Sequence, residues 1–221
     1  GRGYGFFKIT EGESSGLWSV LRLSEDEVLK GSLLITLYEN LRWKTISPQG
    51  FRDEMLAYLP NESNSLLFSM ALSYLGDCQR IFPSDSRPLE EALWRIVTTN
   101  PVSQHRLQAF RLYRSIADSE EAVQRLYTLW QERKAPKDCA LSESDYIGLS
   151  YILAIHLPEK ADKIIATQLS RIQNPDRKKE YQFISPSVSP RKAERDSVFA
   201  SLLIAGNRRV EPWASSALAN L

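Results

Sequence analysis

Leu29, Leu33, Leu37 and Leu41 recur every four residues, with Leu34 and Tyr38 beside them. That period lays an apolar stripe along one face of an α-helix and scatters over both faces of a strand. The same kind of stripe returns along most of the chain. Ser47-Pro48 opens a second helix through Phe51, Met55 and Leu59, which stops at Pro60. A third is expected over 62–80, with Leu67, Ala71, Tyr74 and Cys78 as its stripe and Leu66 and Met70 adjacent. A fourth over 87–98 carries Leu89, Leu93, Trp94 and Val97, and a fifth opens at Asn100-Pro101. Ser24 with Glu27, Asp118 with Glu121 and Ser142 with Asp145 read as helix-opening capping pairs. Pro158, Asn174-Pro175, Ser189-Pro190 and Glu211-Pro212 open the remaining helices.

Residues 1–23 differ. Gly1, Gly3, Gly5, Gly12 and Gly16 punctuate aromatic and β-branched residues, so extended segments are expected near 4–9 and 17–23. No β-periodic run follows. The expected fold is all-α, an irregular α-solenoid of stacked antiparallel helix pairs over 24–221 behind an extended N-terminal segment. It is similar to HEAT or armadillo arrays, since tetratricopeptide and ankyrin signatures are absent. A compact helical bundle is the alternative.

Composition narrows the function classes. Hydrophobic residues make up 43% of the 221 and charged residues 25%, the balance of a globular chain with a core. The net charge of +1 gives no field for nucleic acid or an acidic membrane surface. No apolar run approaches the ~20 residues of a membrane span. Gly1 stands where an initiator Met would, so a processed chain or a fragment is expected, and the N-terminus does not read as a signal peptide. Cys78 and Cys139 could be free core thiols or one disulfide.

Chemistry-bearing motifs are missing. His105 and His156 are the two histidines, and neither sits at metal-ligand spacing with the other or with a cysteine. His156 lies where a helix C-terminus is expected and reads as a cap. No phosphate-cradling glycine loop and no nucleophile elbow occur. Glu90-Glu91 and Glu120-Glu121 read as solvated helix faces rather than acid–base pairs. One charge bias stands out. Between Arg171 and Arg195 seven Lys or Arg accompany three Asp or Glu. That excess either lines a groove for an anionic group, such as a peptide carboxylate, or is a solvated surface. Trp94 and Trp130 fall on apolar stripes and read as core. Trp213, just after Pro212, reads as a staple holding the last helix on the one before it.

Asp176, Tyr181-Gln-Phe183-Ile-Ser-Pro186, Arg195-Asp196-x-x-Phe199, Asn207-Arg208 and Glu211-Pro212-Trp213-x-x-x-Ala217-Leu218 resemble the C-terminal helical domain of gluzincin zinc aminopeptidases, the alanyl/leucyl aminopeptidase family. The helix through Gly31 to Leu41 is similar to the start of that domain in bacterial members, where a small β-rich domain precedes it. The resemblance implies that residues 1–23 are the tail of such a domain. The family's His-Glu-x-x-His with its downstream Glu, and its Gly-x-Met-Glu-Asn, are absent, so no catalytic, metal or cofactor residue carries over. Zinc is implied for a parent enzyme only. The resemblance further implies a cap over the chamber of a catalytic domain, restricting and positioning peptide substrates. Arg191, Lys192, Arg195, Asp196, Arg208, Glu211 and Trp213 are then candidates for the chamber wall or the interdomain seam. The implied partners are the parent's own catalytic domain and a peptide, with self-association through exposed helix faces. A free-standing scaffold for a protein or peptide is the rival reading.

Overall fold

The computed structural model describes residues 7–221. Twelve α-helices and no strand occur among them. They form two compact units, one built from the described residues up to Ala117 together with Pro136–Ala140, the other from Asp118–Ala135 and Leu141–Leu221.

The first unit contains α1 (Glu11–Leu23), α2 (Glu27–Arg42), α3 (Pro48–Tyr58), α4 (Ser65–Ile81), α5 (Arg87–Thr99) and α6 (Ser103–Ile116). The expected extended strand at 17–23 is not there; those residues are helical. Thr10 and Glu13 close a capping box at the start of α1. Ser14, Trp18 and Leu21 then fall on one buried face, while Gly12 and Gly16 point into open space. The glycines sit on the face that packs nothing, so they weaken the helix without breaking it. Of the other expected segment, residues 4–6 lie outside the described region. Residues 7–9 are held by the buried Asn40 of α2, which donates to the Phe7 carbonyl at 2.8 Å and accepts from the Ile9 N–H at 2.9 Å.

Two further corrections concern register. Asp26, not Ser24, caps α2, its carboxylate accepting from the Val28 and Leu29 N–H groups. In α4 the buried face runs Leu67, Phe68, Ala71, Leu72, Leu75 and Cys78, whereas Leu66 is 77% exposed. That helix is apolar on both flanks of its stripe, and the bulky Phe68, stacked on His105 of α6, selects the flank that turns inward. Both cysteines are buried, and neither is in a disulfide. The Arg52 guanidinium lies 3.7 Å from Cys78 Sγ and donates to the Phe82 carbonyl at 3.0 Å.

The second unit contains α7 (Glu120–Glu132), α8 (Glu143–His156), α9 (Ala161–Arg171), α10 (Pro175–Ile184), α11 (Lys192–Leu202) and α12 (Glu211–Asn220). Ser142 and Asp145 form the expected capping box of α8. The cap of α7 is Ser119, one residue beyond the expected Asp118. Trp130 is core, its indole N–H donating at 2.8 Å to the buried Gln168 of α9. Arg171 lies 4.8 Å from the Trp130 ring centroid and donates to its carbonyl. In α10, the fully buried Tyr181 shares a 2.9 Å hydrogen bond with Ser150 of α8. Leu202 of α11 meets Ala214 and Ala217 of α12, with Phe183 and Val198 packed against them.

Candidate functional site

The residues singled out between 191 and 213 divide in the structure. Arg191 precedes α11 and spans to α9. Its guanidinium grips Asp162 with two bonds of 2.8 and 2.9 Å, and Glu194 with two of 2.6 and 3.1 Å. Hydrogen bonds from Arg191 hold the Asp162 and Glu194 carboxyls below the usual carboxylate range. The same bonds, Asp162 first, push the Arg191 pKa up. All three side chains are largely exposed, so the clasp fixes geometry more than it adds stability.

Beneath the clasp lies a groove of about 310 Å³. Ile165, Ala166 and Leu169 of α9 and Pro186 and Pro190 of the following turns give it an apolar floor. Lys192 stands outside it, paired with Asp196 at 2.6 Å one turn along α11. Arg195 donates to the Ser189 carbonyl at 2.7 Å, pinning the turn before α11. Arg208 and Glu211 are exposed. Trp213 is half-buried, and its ring sits 5.8 Å from that of Phe183. It therefore ties α12 to α10, whose Phe183 also packs against Leu202 of α11. The seven candidates form no single site: Arg191 edges the groove, Trp213 packs, and the others cap, pair or face solvent.

A second polar cluster, in the first unit, gave no sequence signal because its members lie some 40 residues apart. His105 is fully buried. Its ring stacks on Phe68 with centroids 4.0 Å apart, and its Nε2 lies 3.1 Å from Ser65 Oγ. His105 Nδ1 has no partner. Burial pushes the His105 pKa down, against the charge of Glu62. Glu62 does not reach that nitrogen. Its carboxylate accepts from the Tyr58 hydroxyl, from Lys30 Nζ at 2.9 Å and from the Asn64 N–H at 2.7 Å. Burial raises the Glu62 carboxyl, but these bonds outweigh it and hold the group below the usual range. A serine beside an imidazole whose other nitrogen meets no carboxylate lacks the orienting member of a nucleophilic triad.

The expected solvated face at Glu90-Glu91 needs correcting. Glu91 is exposed, but Glu90 is buried in the first turn of α5. Among the described residues no group of three His, Cys, Asp or Glu side chains converges as a metal would require. No described helix is long and apolar enough to cross a membrane. Compared with family models, curated proteins and solved structures, the chain matches none.

Proposed function

We propose that this chain is a non-catalytic helical domain of a zinc aminopeptidase, which caps the chamber of a catalytic domain and helps restrict and position peptide substrates. One observation supports the reading. Phe183, Trp213 and Ala217, separated in sequence and all part of the resemblance, belong to the packing of α10 and α12, and Tyr181, also part of it, ties α10 to α8 within the same helical unit. These four of the resembling residues thus behave as an architectural signature, as a cap would need. By itself the chain hydrolyses no peptide on this reading, because the Lewis acid and the base would lie in the catalytic domain. The coding DNA upstream of Gly1 tests it. An in-frame His-Glu-x-x-His with a downstream Glu is expected, and a start codon immediately before Gly1 would overturn the proposal. In the parent enzyme, loss of this domain should change the ratio of kcat/KM for long and short peptides; identical ratios count against a positioning role.

A scaffold that binds a protein partner is the second reading. Phe199, Leu203 and Ile204 favour it, each more than half exposed on and just beyond α11. Saturable capture of a partner lacking any peptidase domain is its expected result.

A further inference from the structure

The clasp over the groove is chemically lopsided. A guanidinium carries five N–H donors. Arg191 spends four of them, Nε on Glu194, Nη1 on Asp162, and Nη2 on both. Each carboxylate oxygen has taken one bond from Arg191, and Glu194 takes a further one from the Ser189 hydroxyl, which leaves acceptor sites on both groups and most of them on Asp162. Among its charged side chains the mouth of the groove is therefore rich in acceptors and nearly exhausted of donors. Two negative charges stand there against one positive. The adjacent cations are also committed, Lys192 to Asp196 and Arg195 to the Ser189 carbonyl.

An anion entering here would find one spare guanidinium N–H, the Ser185 hydroxyl and two carboxylates. The groove for a peptide carboxylate, one reading of the local basic excess, is thus opposed by the pairing that the fold creates. A cation carrying an apolar body fits both halves. Its N–H donors meet Asp162 and Glu194, and its hydrocarbon covers Ile165, Leu169, Pro186 and Pro190. We propose that this groove is a binding site for a small apolar primary ammonium. The inference uses only side chains between 161 and 196 and stands apart from the aminopeptidase reading.

Titration of the full ¹⁵N-labelled chain with isopentylamine tests it by two-dimensional NMR. Isovalerate and isopentanol serve as the anionic and neutral counterparts of the same size. Isopentylamine should give saturating shifts confined to 161–194 at concentrations of about a millimolar. The anion and the alcohol should bind at least about tenfold more weakly, the loss expected for a charge-assisted hydrogen bond. Asp162→Asn and Glu194→Gln should each weaken the amine about tenfold, while Glu120→Gln on α7 leaves it unchanged. Isovalerate binding as tightly as the amine would overturn the proposal, as would shifts scattered outside 161–194. Should Asp162→Asn lose its dispersed spectrum, Glu194→Gln decides alone.

Discussion

At the scale of single residues, His105 is the group whose environment and chemistry conflict most. A stacked, buried imidazole with one unpartnered nitrogen resists protonation. Its folded pKa lies below the ordinary 6.5, so the unfolded chain binds more protons once the pH falls under that value. Stability contributed by neutral His105 is present above pH ~6.5 and drains away on acidification. Urea midpoints should fall between pH 7 and pH 5, and His105→Phe, which keeps a ring against Phe68, should flatten that fall. An equal slope in the variant would place the titration elsewhere. Trp130→Phe tests a different debt. It leaves the buried Gln168 carbonyl without its 2.8 Å donor, and the expected cost is about 1–3 kcal/mol in chemical denaturation.

At the scale of elements, helix ends carry the informative detail. Lys44, Arg133 and Asp138 adopt left-handed backbone conformations among the described residues, where glycine is usual. Arg133 ends α7 in this way and lies 5.4 Å from the Tyr146 ring centroid. Lys44, just past α2, sits 5.8 Å from the Phe82 ring centroid. A long cation thus occupies a strained position while reaching an aromatic face. Arg133→Gly relieves about 1 kcal/mol of strain and forfeits a contact of about 0.5–1 kcal/mol, so its stability should hardly move. Arg133→Ala keeps the strain and loses the contact, and its melting temperature should drop. In α1, Gly16→Ala should stabilise by about 0.5–1 kcal/mol, since its new methyl meets nothing within 4 Å. Much of this scale was legible beforehand. Pro48, Pro175 and Pro212 mark helix starts because a missing N–H matters little there, and the Ser142–Asp145 box needs only local residues. The helix over 11–23 was hidden because its two glycines, after three more in the first five residues, outweigh one capping box in any local reading. The flank chosen by α4 depends on His105, 37 residues beyond Phe68, which no periodicity records. The groove was half legible: the charged run drew notice to Arg191, but its partner Asp162 lies on α9, outside that run.

At the scale of the whole molecule, the all-α class follows from periodicity, whereas the division into two units does not. Each unit has its own buried residues, from Leu34, Phe68 and Phe110 in the first to Leu126, Leu149 and Tyr181 in the second. Calorimetry should therefore return a van't Hoff enthalpy smaller than the calorimetric one, the mark of more than one cooperative block. Equal enthalpies would mean that the blocks melt as one. Between α7 and α8 the chain leaves the second unit and contributes Pro136–Ala140 to the first. There Arg106 donates to the Lys137 carbonyl at 2.8 Å, and Cys139 is buried. In genetic terms this excursion denies the gene a clean seam. A single crossover after Ala117 would hand a descendant the first unit without its returning segment, and the second with an orphaned loop. Shuffling or splitting this chain as interchangeable cassettes must carry the five-residue excursion along or replace it.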